Sequence, residues 1–149
     1  MNYFVLPEKL LKRYHEMFEG YYCSVPWLEQ KVKALYMTEG HWVKRVNHMF
    51  AENKRKRDIL LETINKLMAK RVKISGESSG THIMLEITGF VEDELVSRAL
   101  EHNVIVSPIK EFWYDQKNIK NNSVIIGFNA INENDIEQGI KSLNKAWFG

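Results

Sequence analysis

The sequence predicts an α/β fold, an α+β sandwich in which helices cover one mostly antiparallel sheet. Two patterns indicate this fold. Before Arg71, apolar residues recur at helical spacing, whereas residues 82–87 alternate between apolar and polar side chains, as a strand with one buried face does. From Arg71 onward the predicted order is strand, strand, helix, strand, strand, helix.

Three helices are predicted before the sheet. Pro7 opens the first and Pro26 the second, because proline lacks the N–H that would be unpaired at the first position of a helix. Thr38 is expected to cap a third and longer helix over residues 38–70. In its middle, the stretch AENKRKRD carries no large apolar side chain, so the basic run 54–57 is predicted to lie on a solvated face.

The first two strands are predicted at VKIS and THIMLEI, separated by the turn-rich loop GESSG. In the second strand, Leu85 and Ile87 face the core and His82 lies on the opposite face. The segment VEDELVSRALEHN is predicted to be an amphipathic helix whose acidic first turn suits the helix dipole. Asn103 is the expected end of this helix.

Two further strands and a closing helix complete the prediction. VIVSPI reads as a strand that Pro108 places near a sheet edge or a strand end, and SVIIGFNAI is the most strand-like run of the chain. Asn132 with Asp135 resembles a capping pair before the final helix. Four residues of that helix have core spacing: Ile136, Ile140, Leu143 and Ala146.

The composition describes one globular domain of 149 residues, of which 44% are hydrophobic and 27% charged. A formal net charge of +2 is too small to argue for nucleic-acid binding without a basic face. The single Cys23 cannot form an internal disulfide, which fits a reducing cytosol. No apolar run approaches the roughly 18 residues of a membrane span, so we predict a cytoplasmic protein.

The residues themselves do not predict a self-sufficient active site. No two histidines have the spacing of a metal-ligand pair, so no metal site is predicted. His82 stands out because it follows a glycine-containing loop on the non-core face of a strand, where it is either a site residue or simply exposed or packed. The run 54–57 could contact phosphate, but acidic neighbours flank it, and Trp113 beside Tyr114 could line a ligand or pack internally.

Six segments, taken in order, resemble the C-terminal part of the fold-type-I pyridoxal-phosphate-dependent aminotransferases. The resemblance is strongest to the branch fused to GntR-type DNA-binding domains, the MocR-like transcriptional regulators. The segments are YFVLP, PWLEQKVKALYMTEGHWVKRVNHM, KRKRDIL, SSGTHIMLEI, NVIVSPIKEFW and IIGFNAINENDIEQGIKSL.

The resemblance implies a domain organisation. Residues 1–37 correspond to an interdomain segment with two helices, and residues 38–149 to an aminotransferase-like small domain that includes the long helix 38–70. The lysine that binds the cofactor, its phosphate cradle and the large domain would all precede residue 1, so the start of the chain is expected to be a cut. The resemblance therefore places no catalytic and no cofactor-binding residue in this chain, and it assigns pyridoxal phosphate to the full-length parent.

The resemblance also bears on substrate recognition. Many aminotransferases bind the substrate carboxylate with the arginine of an Arg-x-x-Phe motif in the strand before the last helix. Ile125 occupies that position, which places carboxylate recognition by this route in doubt. His82 matches the histidine of the family's Gly-Leu-His strand, although Thr81 replaces the leucine, and His82 is therefore the candidate substrate-facing residue.

The implied function is that of a C-terminal fragment of an aminotransferase-like, bacterial GntR/MocR-type regulator. Such a fragment would contribute effector closure but no activity alone. Its expected partners are the large domain and the N-terminal DNA-binding domain of the parent, together with other copies of itself, and direct nucleic-acid binding is not expected. The alternative is a stand-alone cytosolic interaction or adaptor module without a cofactor.

Overall fold

A computed structural model describes residues 5–20, 24–78, 80–112 and 122–149. The chain divides into two compact units, residues 1–47 and residues 48–149. The boundary between them falls inside the longest helix. The organisation implied by the resemblance, with a division after residue 37, stays a prediction.

The first unit contains two short helices, α1 (Glu8–Met17) and α2 (Trp27–Thr38). Each begins directly after a proline with extended backbone, Pro7 (ψ 148°) and Pro26 (ψ 141°), so both helices start within one residue of the prediction, but the proline precedes the helix and is not its first residue. No residue of α1 or α2 is buried.

The long helix, α3 (His41–Met68), is confirmed, but its predicted cap is wrong. Thr38 is the last residue of α2, and its hydroxyl donates a hydrogen bond to the carbonyl oxygen of Leu35 at 3.1 Å. Gly40 then takes a left-handed conformation (φ +78°), and α3 begins at the next residue. The Thr38 hydroxyl therefore bonds to a carbonyl of α2 and does not cap α3, and Gly40 forms the turn between the two helices.

The second unit contains the sheet, and the predicted order of its elements is confirmed. The four strands are antiparallel to their neighbours and lie in the order β1-β2-β4-β3. Helix α4 (Glu92–Glu101) connects β2 to β3, and α5 (Glu133–Phe148) closes the chain. The strands are β1 (Val72–Ser75), β2 (His82–Ile87), β3 (Ser107–Pro108) and β4 (Ser123–Gly127).

The core lies between one face of this sheet and the helices. Ile74, Leu85 and Val124 are paired across three strands and point to this face, which confirms the alternation predicted for β2. The four core residues predicted for α5 are buried as well. In α3 the buried residues recur every fourth position: Lys56, Leu60, Ile64 and Met68.

The β3 region differs from its prediction in length. Only Ser107 and Pro108 pair with β4, at the sheet edge, and a 3-10 turn over Ile109–Phe112 follows, because proline has no N–H with which to extend the ladder. Asn103 has φ +59° just after α4, which confirms it as the end of that helix.

The predicted capping pair before α5 is only partly as expected. Asn132 is the residue before the helix, but its side-chain nitrogen donates to the carboxylate of Asp135 at 3.3 Å, and its side chain caps no backbone N–H.

Candidate functional site

The face of the sheet opposite the core carries one aligned row of side chains. Ser75, Met84, Ile125 and Ser107 are register partners across all four strands, so their side chains point to the same face. All four are partly buried. Ile125 therefore lies beside Met84 in the centre of this face, a proximity that the register of β2 and β4 creates.

A depression of about 230 Å³ lies at one end of this row. Among the described residues it is lined by Ser75, Gly76, His82, Met84 and Ile125, and we call it the His82 pocket. His82 is the first residue of β2 and is exposed. The structure thus brings together the two residues that the resemblance singles out, His82 and Ile125.

Backbone geometry places His82 at the rim of the pocket. The Phe128 N–H donates to the Thr81 carbonyl oxygen at 3.0 Å, which continues the β2–β4 pairing beyond the strand ends. On the other side, Gly80 has φ +80°, and a Cβ at Gly80 would lie 3.8 Å from the His82 ring. The positive φ favours glycine at this position, whereas a Cβ there would make only an ordinary van der Waals contact with the imidazole.

The pocket has the chemistry of a small, mainly apolar recognition site. Met84 and Ile125 supply apolar surface, Ser75 supplies a hydroxyl, and the imidazole of His82 is the only titratable side chain among the described lining residues. Such a surface accommodates an apolar group and offers a hydrogen bond at the rim to a polar atom of the same ligand.

Pyridoxal phosphate does not fit this lining. The cofactor requires a lysine for its aldehyde, a carboxylate for its ring nitrogen and donors for its phosphate. None of the described lining residues is a lysine, an arginine, an aspartate or a glutamate. Two lysines of the second unit are engaged elsewhere: Lys56 with Asn129, and Lys110 with Asp93.

The basic run 54–57 is only in part the solvated face that the sequence predicts: Lys54 and Arg55 are exposed, whereas Lys56 is buried and Arg57 is partly buried. Lys56 is only 8% exposed, and its ammonium donates to the Asn129 carbonyl oxygen at 2.8 Å and lies 3.2 Å from the Glu52 carboxylate. Arg57 donates to the Glu77 carbonyl oxygen at 3.3 Å. The prediction fails at Lys56 and Arg57 because the partners come from loops distant in sequence, although the spacing from Lys56 to Leu60 already places that lysine in the buried stripe of α3.

Glu92 is a buried acid whose role the sequence analysis missed. It is fully buried, and one carboxylate oxygen accepts hydrogen bonds from the backbone N–H groups of Ile109 (2.8 Å) and Lys110 (3.3 Å). The other oxygen lies 3.9 Å from the Lys110 ammonium. Glu92 therefore caps the 3-10 turn after β3. From the sequence, the acidic residues in the first turn of α4 are expected only to interact with the dipole of that helix.

Lys110 joins the same cluster of charges. Its hydrogen bond to Asp93, helped by the nearby charges of Asp93, Glu92 and Glu111, raises the Lys110 pKa above 10.5 despite partial desolvation. The Glu92–Asp93–Lys110 cluster ties the start of α4 to the turn after β3.

Some predictions fall on other parts of the chain. Trp113, Tyr114 and Cys23 lie outside the described residues. Within the part of the chain that the structure describes, no group of three or more His, Cys, Asp or Glu side chains could hold a metal ion. No helix in that part is both long and apolar enough to cross a bilayer.

Comparison with known sequences identifies relatives among transcriptional regulators. The chain is 34% identical over 148 residues to YdeL and 28% identical over 148 residues to YhdI, both described as uncharacterized HTH-type transcriptional regulators of Bacillus subtilis. These matches cover 99% of the chain but only 32% and 31% of the two regulators, so the chain spans about a third of their length. No protein-family model matches the chain.

Comparison with solved structures identifies the fold. The α-aminoadipate aminotransferase LysN of Thermus thermophilus matches 95% of the chain with a TM-score of 0.78 and 21% identity, over 36% of its own chain. An archaeal alanine:glyoxylate aminotransferase matches 94% with a TM-score of 0.76 and 23% identity, over 34% of its own chain. The kynurenine aminotransferase of Pyrococcus horikoshii matches 75% with a TM-score of 0.68 and 25% identity, over 28% of its own chain.

These findings confirm both halves of the resemblance inferred from sequence. The fold is one found in the aminotransferases, and the sequence relatives are HTH-type regulators. The alternative of a stand-alone adaptor module without cofactor ancestry is not favoured.

Proposed function

We propose that this chain is the part of a GntR/MocR-type regulator that closes over the bound effector. The chain has an aminotransferase fold and is similar to HTH-type transcriptional regulators. The match over 148 residues to YdeL carries this proposal, because it joins a regulator sequence to an aminotransferase fold. In a protein of that length, the other two thirds would supply the DNA-binding domain and the large domain. The proposal assigns pyridoxal phosphate to that large domain.

In this proposal the His82 pocket is the surface that this part presents to the effector. The imidazole of His82 hydrogen-bonds a polar group of the effector, and Met84 and Ile125 contact its apolar part. Effector binding shifts the closure of this part, and the DNA-binding domain responds to the shift. Ile125 cannot pair with a carboxylate, so the proposal gives this pocket no carboxylate-binding role.

The chain alone is proposed to hold no cofactor, which the lining of the His82 pocket supports. The test is to mix the purified chain with pyridoxal phosphate, dialyse it and record the visible absorption spectrum. We expect no cofactor band after dialysis. A stable band that persists and maps to one lysine of this chain would contradict the proposal that only the large domain holds the cofactor.

The effector role is tested in a chimera in which this chain replaces the matching 148 residues of YdeL. Each of the common amino acids is added in turn to the chimera loaded with pyridoxal phosphate, and the change of the cofactor spectrum is recorded. We expect His82→Gln to weaken the response to the responsive amino acid about five-fold, since the glutamine amide cannot place its donor where the imidazole N–H lies and the hydrogen bond to the polar group of the effector is weakened. The matched control is His48→Gln, a change at an exposed histidine of α3 outside the pocket. Equal responses in the two variants would remove His82 from the effector site.

We also propose that the isolated chain self-associates through its first helices. Large apolar side chains of α1 and α2 are exposed, among them Met17 (63%), Trp27 (73%) and Leu28 (65%). Exposed apolar surface of this extent usually marks a contact with another protein. Light scattering after gel filtration should give a mass above that of the 17.6 kDa chain, and a strictly monomeric chain at high concentration would contradict this.

A further inference from the structure

Two consecutive cations of α3 reach two different loops beside the His82 pocket. The Lys56 ammonium donates to the carbonyl oxygen of Asn129, in the connection between β4 and α5. The Arg57 guanidinium donates to the carbonyl oxygen of Glu77, in the connection between β1 and β2. Successive residues of a helix point about 100° apart, so neighbouring side chains of one helix can contact both loops. We call this pair of contacts the α3 clamp.

Burial distinguishes these contacts from ordinary surface pairs. Lys56 is 8% exposed and its ammonium is held at 2.8 Å from Asn129 and 3.2 Å from Glu52. A buried ammonium without such partners is costly, so the contact favours the arrangement in which the Asn129 carbonyl stays beside Lys56. The neighbouring pair of Arg55 and Glu133 is 3.5 Å long with a 69% exposed arginine, and it contributes little.

Both loops lead within a few residues to His82. Asn129 follows Phe128, whose N–H is bonded to the carbonyl oxygen of Thr81, the residue immediately before His82. Glu77 lies in the connection between β1 and β2, which also contains Gly80, the residue close to the His82 ring. The Lys56 contact therefore supports His82 from the β4 side, and the Arg57 contact supports it from the β1 side.

From this geometry we infer that the α3 clamp positions His82, and that a change at the His82 pocket is thereby coupled to α3. Lys56 and Arg57 are positioning residues that act through the two loops. The coupling to an effector rests on the proposed function, whereas the positioning of His82 does not.

The test uses the isolated chain without cofactor or DNA, so its outcome is independent of the proposed function. Lys56→Met keeps the aliphatic stem and removes the ammonium. Lys54→Met is the matched control, because it removes the same charge two residues earlier on the same helix. The readouts are the His82 ring resonance in a carbon-proton NMR spectrum, assigned with His82→Gln, and the hydrogen-exchange rate of the Phe128 amide.

We expect Lys56→Met to displace the His82 resonance and to speed exchange of the Phe128 amide about ten-fold or more. Lys54→Met should leave both at their wild-type values, and Lys56→Arg should restore them in part. A folded Lys56→Met variant with an unchanged His82 resonance and an unchanged Phe128 amide would overturn the inference.

If Lys56→Met does not fold, Arg57→Met tests the other contact of the clamp. This variant removes a more exposed contact, with the arginine side chain 30% exposed. It should displace the His82 resonance while the chain stays folded. An unchanged His82 resonance in folded Arg57→Met would refute the clamp.

Discussion

Replacement of the buried Glu92 provides a quantitative test of how the sheet edge is held. In Glu92→Ala, the N–H groups of Ile109 and Lys110 lose their shared acceptor, and the Lys110 ammonium loses a carboxylate at 3.9 Å. Hydrogen bonds to a charged group contribute about 1.5–3 kcal/mol, and the shorter bond of 2.8 Å dominates. Adding the cavity left by a fully buried side chain, we expect a loss of about 3–5 kcal/mol in the free energy of unfolding.

Glu92→Gln separates the hydrogen bonds from the charge. The amide oxygen can still accept from Ile109, but its nitrogen is placed near the Lys110 ammonium, where the native oxygen has no hydrogen-bond partner. We expect this variant to lose about 1–3 kcal/mol, less than the alanine variant.

Urea unfolding of the isolated chain measures both losses, with Glu101→Ala at the exposed end of α4 as the control expected within about 0.5 kcal/mol of wild type. A Glu92→Ala variant as stable as this control would refute the assignment of Glu92 as the cap of the 3-10 turn.

Three further predictions concern the core, the loop at His82 and the charge cluster. Phe128→Ala should lower the free energy of unfolding by about 3–5 kcal/mol in urea, because Phe128 is 1% exposed in the core, and a loss below about 1 kcal/mol would contradict its placement. Gly80→Ala should destabilise the chain by about 1 kcal/mol and displace the His82 ring resonance, because φ is +80°; Gly139→Ala in α5 is the control and should be neutral or stabilising. The raised Lys110 pKa favours the protonated form in the folded state, so its contribution is complete below pH 10.5 and is lost as the pH rises through the folded pKa. The difference in urea midpoint between wild type and Lys110→Met should therefore be constant near neutral pH and shrink above about pH 10.5, and a difference that grows with alkaline pH would contradict this sign.

Local patterns were sufficient for most of the fold. The alternation around Leu85 and the four-residue spacing of Ile136 and Ile140 predict the buried faces of β2 and α5, because periodicity alone determines which side chains share a face. The positions of Pro108 and Asn103 likewise follow from backbone restrictions that each residue carries by itself.

The misses come from hydrogen-bond partners that the sequence pattern does not specify, one of them local and one distant in sequence. Thr38 has the chemistry of a helix cap, but the carbonyl of Leu35 and the turn at Gly40 offered it a different partner. Lys56 lies in a polar stretch, and its burial depends on a carbonyl 73 residues further along the chain. No local sequence pattern specifies the contact between Lys56 and that carbonyl.

The candidate site shows the same division. The sequence predicts that His82 lies on the non-core face, and the resemblance draws attention to Ile125. That the two line one depression follows only from the pairing of β2 with β4, in which Met84 is the partner of Ile125. Register between strands that are distant in sequence is a tertiary property, so the pocket could be recognised only in the folded chain.

The most direct test of the account measures cofactor retention in the YdeL chimera and in the isolated chain, treated identically. Both proteins are saturated with pyridoxal phosphate and dialysed, and the bound cofactor is quantified by visible absorption. We expect about one cofactor per chain in the chimera and none in the isolated chain, with the cofactor attached to a lysine from the YdeL part. A chimera that folds but retains no cofactor, or an isolated chain that retains a full equivalent, would contradict it.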